Sequence, residues 1–516
     1  MYGVDNFDVI IGNPPYIKEY TNKDAFDGIR GEKYYQGKMD IWYYFACHLL
    51  DMLPKDGNLA FIATNNWVTN SGASKFRNKI AEDGKIIQLI DFGNTKVFSS
   101  AGIQTMILIA EKDCADDDYE FEYKKIDSDS ATLADSFNML KGLESPKYTI
   151  ARPTFNRSEF LDKSFLFNSS EKDLLLDIIK SKQNFKLDAK KEVAQGIVPP
   201  QDFLNKKNQQ ILGKGHKIGE GIFILNEDEL NNLGLTNHEL DLIKPFYSTN
   251  RLNRFYGNQE NKNWIIYTDS SFKYSKNIKS YPNIKNHLDK YSEIITSSNR
   301  PYGLHRARIE NFFLGEKIIS LRKCSDRPTF TFTEFDCYVS QTHFVIKTNR
   351  INQKYLTALL NSSLIEFWLR YRGKMQGFNF QVDKEPLLDI PIFNPESTEI
   401  FSILVDYIIQ VKRLEKEQIN SHVPNSHLAE QFEEIIDAMV MELYFKQDFK
   451  NVGIEFIKYV ERDFKPIEHL KNHDEKIKVI HETYQKLRQK DNEIRNNLKL
   501  MDIKLADIVM PIKTAK

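Results

Sequence analysis

The sequence is poor in cysteine and in long apolar runs, and its charge is almost balanced. Its 4 cysteines form no CxxC pair, which argues against a disulfide framework and a thiolate zinc site. No apolar run is long enough to span a bilayer, so we expect no membrane function. A formal net charge of -1 over 516 residues means that any nucleic-acid surface must be local. We expect a protein of the reduced cytoplasm with roughly two to four domains.

Spacings typical of metal or nuclease sites are also scarce. His469 and His473 stand four apart, but they lack the glutamate of an HExxH helix and a third ligand, so we expect no metal. The segment 122–124 matches half of a nuclease motif. The alternation of residues 119–126 favours an edge strand instead.

The most informative segment is Asn13-Pro14-Pro15-Tyr16, which follows the apolar run 7–12. The pattern predicts a strand that ends at a rigid turn. Two consecutive prolines fix φ and remove two backbone donors, which leaves carbonyl acceptors without partners in the chain. An asparagine oxygen beside such a carbonyl could hold both hydrogens of an exocyclic amine, while Tyr16 offers a flat face to its ring. An ordinary Asn-Pro loop is the alternative.

Helices and strands alternate after this turn. The periodicity predicts, in order, a helix over 41–53 with Asp40 as its N-cap, a strand over 59–63, a helix over 76–80, and strands over 86–90 and 104–109. An acidic and polar stretch over 116–130 then marks the end of the first domain.

The strand, the NPPY turn and this order of elements resemble motifs IV to VI and VIII of the gamma-type adenine-N6 DNA methyltransferases. The resemblance implies catalysis by Asn13, Pro14, Pro15 and Tyr16, stacking of a flipped adenine on Tyr16 and Phe98, and a position near S-adenosylmethionine for Asp40 and Trp42. Extruding a base costs a few kcal/mol, and stacking on an aromatic ring returns roughly 1 to 3 kcal/mol per base. A core aromatic is the alternative for Phe98, and a helix cap is the alternative for Asp40.

The same resemblance raises a question about the cofactor. Family members bind S-adenosylmethionine through a glycine-containing turn between a strand and a helix, located before the NPPY motif. Only twelve residues precede Asn13, so we expect the cofactor loop to be absent from this chain. The glycine cluster 213–221 has no strand before it and no helix after it, which favours a surface turn. The chain is then part of a larger enzyme, a polypeptide completed by an upstream partner chain, or a remnant.

From about 150 to 395 the chain resembles the TaqI-like target-recognition domain of type IIG restriction-modification enzymes. The segments that carry this resemblance are 195–199, 218–223, 242–247, 264–267, 281–284 and 359–362. Cations alternate with aromatic residues in the same region, as expected of a surface that meets the phosphates and base edges of double-stranded DNA. The candidate DNA-binding residues are Arg251, Arg254, Arg300, Arg306, Arg308, Lys374 and Gln376, and the cations Lys317, Arg322, Lys323 and Arg327 extend the set. A solvated surface charge is the alternative for each cation, and a plain loop is the alternative for 371–378.

Residues 396–516 are helical in pattern. An apolar stripe over 432–443 predicts one helix, and a break at 422–426 separates it from another over 400–414, so a packed antiparallel pair is the simplest arrangement. The highly charged segment 476–497 predicts a solvent-facing helix.

Together these patterns predict an α/β protein with three regions. They are the second half of a Rossmann-like methyltransferase sheet (1–130), a mixed α+β target-recognition domain (131–395) and a helical C-terminal region (396–516). The expected activity is transfer of a methyl group from S-adenosylmethionine to adenine N6 at a specific DNA site, within a restriction-modification system. One alternative is a DNA-specificity fragment or subunit that needs a partner chain for its cofactor site. Another is a methyltransferase of protein glutamine amides, because NPPY also occurs in such enzymes.

Overall fold

The computed structural model describes residues 7–98, 103–112, 118–128, 130–161, 165, 167, 170–213, 215–414, 418–420 and 422–515. The chain forms two compact units, Met1–Asp177 and Ile178–Ala515. Within these described ranges, no helix is both long and apolar enough to cross a membrane. The expected α/β class is confirmed, since both units combine sheets with helices.

A six-stranded mixed sheet forms the centre of the first unit. The strands of this unit are β1 (Val9–Gly12), β2 (Asn58–Thr64), β3 (Gly84–Asp91), β4 (Thr105–Lys112), β5 (Asp118–Glu120), β6 (Glu122–Ile126), β7 (Tyr148–Ala151) and β8 (Thr154–Asn156). The sheet order is β1-β2-β4-β3-β6-β7, and β5 pairs with β8 separately. Strands β1 and β2 are parallel, and β4 is antiparallel to both of its neighbours, β2 and β3.

Helices lie on both faces of this sheet. They are α1 (Ile41–Met52), α2 (Ser74–Asp83), α3 (Leu133–Leu140), α4 (Arg157–Phe160) and α5 (Ser170–Ser181), and the division between the units falls within α5. The main core of the unit contains Trp42 from α1, Phe76 from α2, and Leu59 and Phe61 from β2. A smaller cluster around Met139 of α3 packs on the strand residues at the β3 and β6 end.

On the face of the sheet opposite the main core, strand β1 is not covered by any described element. Because side chains alternate along a strand, Ile10 packs into the main core while Val9 and Ile11 point the other way. Val9 is 56% exposed and Ile11 is 80% exposed. An apolar sheet face is normally packed against another layer, so this face is a candidate contact surface.

Two expectations for the first unit were wrong. Strand β6 lies between β3 and β7, so the segment around Tyr123 is not at an edge of the sheet. The reason is that β7 adds outside it, in antiparallel register with Ile126 opposite Tyr148. The sheet therefore continues past residue 130, where we had placed the end of the domain.

The second unit contains several smaller sheets. Its strands are β9 (Val193–Gln195), β10 (Ile224–Asn226), β11 (Ile243–Tyr247), β12 (Phe255–Tyr256), β13 (Asn263–Ile266), β14 (Lys317–Leu321), β15 (Lys323–Cys324), β16 (Phe330–Thr333), β17 (Tyr338–Val339), β18 (His343–Ile346), β19 (Met375–Gln376) and β20 (Asn379–Gln381). They form sheets of order β10-β13-β11-β17, β12-β16-β14-β18-β9 and β15-β20-β19.

Helices accompany these sheets and continue to the end of the chain. They are α6 (Lys206–Leu212), α7 (Glu227–Asn232), α8 (Asn237–Leu240), α9 (Ser275–Ile278), α10 (Pro282–Asp289), α11 (Gln353–Leu360), α12 (Ser363–Arg372), α13 (Lys384–Leu388), α14 (Glu399–Arg413), α15 (Asn425–Tyr444), α16 (Lys446–Asn451), α17 (Ile457–Asp463), α18 (His473–Leu487), α19 (Glu493–Lys504) and α20 (Ala506–Lys513). The predicted pair α14 and α15 packs together, with the rings of Tyr407 and Phe432 5.6 Å apart.

The charged segment 476–497 does not form one solvent-facing helix. It is divided between α18 and α19. Ile480 and Tyr484 of α18 and Met501 of α19 are buried. Both helices therefore contribute an apolar face to the core, and their charges lie on the remaining faces.

Candidate functional site

The NPPY turn lies at the carboxyl end of strand β1. Gly12 is the last residue of this strand and pairs with Phe61 of β2. A side chain at position 12 would place its first carbon 3.0 Å from the Phe61 ring, so the close strand pairing favours glycine there. Asn13 follows directly and is exposed. The asparagine is therefore held at the rim of the sheet by a rigid strand pair.

Tyr16 is anchored by hydrogen bonds at this rim. Its hydroxyl lies 2.5 Å from Asn13 Oδ1 and 2.9 Å from the main-chain oxygen of Ile62, and it donates its one hydrogen to these acceptors. The tyrosine is half-buried and packs on the main core. An amide oxygen has two lone pairs, so Asn13 Oδ1 can accept from Tyr16 and from one more donor.

Asp40 lies next to this turn, at the start of α1. The main-chain nitrogen of Ile41 donates to the oxygen of Ile17 at 2.9 Å, which ties the helix to the segment after Tyr16. Asp40 occupies the N-cap position as expected, but its side chain makes no capping hydrogen bond. It is 1% exposed, and neither carboxylate oxygen has a partner among the described residues.

Burial dominates the electrostatics of this carboxyl group. It raises the pKa of Asp40 to about 6, although nearby main-chain N–H groups and Lys18 act in the opposite direction. Burial, and secondly the charge of Asp40, also raise the pKa of Tyr16. The phenol therefore stays protonated at neutral pH and can act as a hydrogen-bond donor.

Trp42, which the resemblance places near the cofactor, is enclosed in the core. Its side chain is 0% exposed, and its indole nitrogen donates to Thr64 Oγ1 at 3.2 Å. The ring packs against Phe76 with centroids 5.1 Å apart. A ligand cannot touch a ring enclosed in this way, so we correct the role of Trp42 to support of the end of β2.

Phe98 lies at the same edge of the sheet as the NPPY turn. The carboxyl ends of β1 and β2 point to that edge because the two strands are parallel. Thr64 of β2 pairs with Thr105 at the start of β4, and Asp91 at the end of β3 pairs with Met106, so the connection from β3 to β4 also lies there. Phe98 is within this connection and is half-exposed. Its stacking on a base remains a proposal.

Only part of the requirement for S-adenosylmethionine is met by the described residues. The carboxyl oxygens of Asp40 have no hydrogen-bond partner among the described residues, but they are buried, so a cofactor lying at the rim does not touch them in this conformation. The glycine segment 213–221 connects helix α6 to strand β10, which is the reverse of a strand-to-helix turn. It is therefore a poor candidate for the cofactor loop, as the sequence indicated.

The predicted DNA-binding arginines differ in their surroundings. Arg300 and Arg306 are exposed, whereas Arg251 pairs with Glu260 at 3.4 Å. Arg254 is directed inward: it donates to Glu433 at 3.0 Å and to the main-chain oxygen of Asn361 at 2.9 Å, with 15% of its side chain exposed. Because these internal bonds occupy its guanidinium, we correct Arg254 to a structural residue.

Two of the additional cations are also bound to partners within the chain, although only Lys317 is fully buried. Lys317 is 0% exposed and donates to the main-chain oxygens of Gly315 and Phe335. Burial lowers the pKa of Lys317 to about 8. Arg327 donates to Glu366 at 2.5 Å. Alternation of cations and aromatics in the sequence does not distinguish such internal cations from surface cations.

The segment that contains Lys374 and Gln376 is a hairpin rather than a plain loop. Strand β19 pairs with β20, and Gly377 in the turn has φ of 63°, a conformation that favours glycine. Strand β15 extends the sheet on the other side of β20. Gln376 is exposed and Lys374 is half-exposed.

One carboxylate organises the side chains of this small sheet. Asp383 accepts from Arg322 Nη2 at 2.7 Å, from Lys374 Nζ at 3.2 Å and from Gln381 Nε2 at 2.7 Å. Burial acts to raise the pKa of Asp383, but the bonds from Arg322 and Lys374 outweigh it and hold the pKa below its usual value. Sequence reasoning missed Asp383, although its position two residues after Gln381 matches strand alternation.

A chain of hydrogen bonds connects this sheet to Arg308. Arg322 donates to the main-chain oxygen of Gln341, and Gln195 Nε2 donates to the same oxygen. Arg308 Nη2 then donates to Gln195 Oε1 at 2.9 Å. Two separate predicted groups, Arg308 and the Lys374 hairpin, therefore belong to one polar strip of the second unit. Gln195 and Gln341 were not among the sequence candidates.

Both resemblances expected from the sequence are confirmed by comparison with protein families. Residues 2–98 match the Eco57I restriction-modification methylase family. Residues 254–392 match the TaqI-like C-terminal specificity domain. The two matches cover the beginning of the first unit and the central part of the second unit.

Curated relatives include type II enzymes. Type II methyltransferase M.HindII of Haemophilus influenzae is 23% identical over 418 residues, covering 76% of this chain and 75% of the relative. Type II restriction enzyme and methyltransferase RM.Eco57I of Escherichia coli is 25% identical over 252 residues, covering 48% of this chain. The match spans only 23% of RM.Eco57I.

A solved structure shares the fold. The type IIL restriction-modification enzyme MmeI, determined in complex with DNA, matches 93% of this chain with a TM-score of 0.52 and 15% sequence identity. The match covers 57% of the MmeI chain. At this identity, the likeness concerns the fold alone.

Proposed function

Because the chain is a relative of type II restriction-modification methyltransferases, we propose that it methylates adenine N6 at a specific DNA sequence. The observation that carries this proposal is the exposed Asn13 at the end of β1, with its amide oxygen oriented by the Tyr16 hydroxyl. A carboxamide fixed in this way at a sheet rim suits recognition of an amine better than an ordinary turn does.

Asn13 and Pro14 hold the amine in this proposal. Asn13 Oδ1 uses its second lone pair to accept one N6 hydrogen, and the Pro14 carbonyl accepts the other. With both hydrogens held, the nitrogen lone pair points away from these two acceptors and is left to attack the methyl group. When bound, S-adenosylmethionine supplies a methyl group on a sulfonium sulfur, which becomes a neutral thioether as N6 gains the methyl and releases a proton to water. The hydrogen bonds from N6 to these two acceptors are strongest as N6 becomes positively charged, so they stabilise the transition state more than the bound substrate.

Tyr16 and Phe98 offset the energy of base extrusion. An adenine inside a duplex is inaccessible at N6, so the nucleotide must leave the stack. The half-buried Tyr16 ring, fixed by its bond to the Ile62 oxygen, gives the extruded base one rigid face. Phe98, at the same edge of the sheet, is proposed to supply the second.

We further propose that another polypeptide segment completes the cofactor site against the bare face of β1. Val9 and Ile11 present an exposed apolar surface there, and β1 is an edge strand of the sheet. Asp40 is proposed to lie close to the cofactor without touching it, since its carboxyl group is buried at the start of α1. Whether this segment belongs to the same protein or to a separate upstream chain, its binding would bury this surface.

The second unit is proposed to select the DNA sequence. The polar strip from Arg308 to Lys374 and the exposed Arg300 and Arg306 provide phosphate and base contacts. Their number is small, which agrees with a nearly neutral chain and a local footprint.

The test is transfer of a radioactive methyl group to DNA. The protein, together with the segment that completes its cofactor site, is incubated with labelled S-adenosylmethionine, plasmid DNA and cell protein. The labelled base or amino acid is then identified by chromatography after digestion. We expect label in N6-methyladenine, abolished by Asn13→Ala and retained by Asn138→Ala, since Asn138 is an exposed asparagine of the same unit. Label in cytosine would contradict the adenine assignment, and label in protein glutamine would favour the alternative methyltransferase.

A second candidate is a specificity subunit that does no chemistry by itself. The exposed apolar residues Val9 and Ile11 favour it, because they indicate a face that lacks its packing partner among the described residues. Calorimetric titration of the chain with S-adenosylmethionine separates the two candidates. Binding in the micromolar range supports a complete enzyme. Sequence-specific DNA binding without cofactor binding supports the subunit.

A further inference from the structure

The hairpin β19–β20 carries a side-chain pair that the catalytic proposal does not use. Lys323 of β15 donates from Nζ to Gln376 Oε1 of β19 at 3.0 Å. Both residues are exposed. They meet across a rigid three-stranded sheet, with Lys323 opposite Gln381 of β20 and Gln376 opposite Asn379 of the same strand.

This contact determines which atoms of the pair face outward. A lysine ammonium has three donors and no acceptor, so the atom of Gln376 that contacts it must be the carbonyl oxygen. The amide NH2 of Gln376 is then left to meet a ligand, together with the remaining N–H groups of Lys323. The pair therefore presents donors.

A surface of donors selects among DNA bases. In the major groove, guanine offers two neighbouring acceptors, N7 and O6, whereas adenine offers one acceptor and one donor. Glutamine reads adenine by using its oxygen and its NH2 together. Gln376 Oε1 keeps a second lone pair, but the Lys323 ammonium beside it would meet the adenine NH2 as donor against donor, so the pair suits guanine better than adenine.

The neighbouring charges support this arrangement. Lys374 and Arg322 share the single negative charge of Asp383, so both side chains are held in place and the three groups together keep a net charge of +1. Lys323 has no carboxylate partner among the ion pairs of the described residues, and it keeps its full positive charge beside Gln376. A charged donor with an adjacent amide donor matches the guanine edge, which carries partial negative charge at both acceptors.

We propose that Lys323 and Gln376 together read one guanine of the recognised DNA sequence through its N7 and O6. The proposal rests on the proposed function, since it assumes that the second unit selects the DNA site. Of the candidate DNA-binding residues in this hairpin, it keeps Gln376 as a base reader and assigns Lys374 to the support of the sheet through Asp383.

The experiment is selection of duplexes from a randomised library by the full chain, followed by sequencing of the bound fraction. The variants are Lys323→Ala and Gln376→Ala, and the controls are Lys471→Ala and Gln489→Ala, which remove exposed side chains from the helical region. We expect the wild-type chain to select a sequence with at least one guanine. Each test variant should lose preference at that single position by about 10-fold, with the other positions unchanged.

The outcomes separate this inference from the proposed function. If the wild-type chain selects no sequence, the proposed role of the second unit is wrong and the inference falls with it. If the wild-type chain selects a sequence in which every guanine preference survives both test variants, or one without guanine, the inference is overturned while sequence recognition stands. Equal thermal melting of variants and controls establishes that a lost preference does not come from unfolding.

Discussion

Substitutions of Tyr16 separate the hydrogen bonds of its hydroxyl from the proposed stacking of its ring. Its hydroxyl orients Asn13 and is anchored to the Ile62 oxygen, while its ring is proposed to stack on the extruded adenine. Tyr16→Phe keeps the ring and removes the hydroxyl. Tyr16→Ala removes both. Tyr16→Phe therefore measures the contribution of the hydrogen bond, and the difference between the two variants measures the contribution of the stack.

The magnitudes follow from these losses. A neutral hydrogen bond contributes about 1 kcal/mol, so Tyr16→Phe should slow single-turnover methyl transfer about 5-fold. Loss of a base stack adds about 1 to 3 kcal/mol, so Tyr16→Ala should slow it by roughly 30-fold to 1000-fold. Tyr20, which is 70% exposed, provides the matched control: Tyr20→Ala should leave the rate nearly unchanged.

A mismatched substrate tests the stacking role directly. Unstacking and unpairing are easier when the target adenine lies opposite a mismatched base. The defect of Tyr16→Ala should therefore shrink on such a duplex, whereas the defect of Asn13→Ala should not, because Asn13 acts on the amine after extrusion. Equal rescue of both variants, or equal rates for Tyr16→Phe and Tyr16→Ala, would refute this reasoning.

Three further predictions concern buried and exposed charges. Burial raises the pKa of Asp40 from 3.8 to about 6, so the folded chain holds a proton that the unfolded chain has lost, and stability falls as pH rises through that window. Asp40→Asn should remove this dependence of stability on pH. At pH 7.5 the free energy of unfolding of the variant should exceed that of wild type by at most about 3 kcal/mol, as measured by urea unfolding at pH 4.5 and 7.5. A gain in stability that is independent of pH would contradict this prediction. Arg254→Met should lower the free energy of unfolding by about 3 kcal/mol in thermal and urea unfolding, because it removes one positive charge that pairs with the buried Glu433 carboxylate. An unchanged melting temperature would show that this internal ion pair is dispensable. Arg306→Gln should change the free energy of unfolding by less than about 0.5 kcal/mol. It should reduce the slope of log affinity for DNA against log salt concentration by about 1. An unchanged slope would show that Arg306 does not contact a phosphate.

The first unit follows its sequence closely because its elements are strongly periodic. The helix predicted over 41–53 is α1, and the strand predicted over 59–63 is β2. Apolar alternation and proline turns are local signals that a sequence displays directly. The position of β6 inside the sheet was not predictable in this way, because it depends on where β7 adds.

The limits of the sequence are clearest for charged side chains. Arg254 and Arg306 look equivalent in the sequence, yet one is buried in an ion pair and the other is exposed. The difference is set by Glu433, which lies far along the chain on α15. Likewise, the outward face of Gln376 depends on Lys323, a partner on another strand. Long-range partners of this kind leave no local pattern.

The anchor of Tyr16 on β2 has a consequence for sequence change. Its partner is a main-chain oxygen, which every amino acid supplies, so residue 62 is free to vary without loss of the bond. Mutational drift in this strand should therefore preserve the geometry of the aromatic ring as long as the strand keeps its register with β1. The position of the Tyr16 ring in the NPPY turn should therefore tolerate substitutions in β2 but not insertions or deletions there.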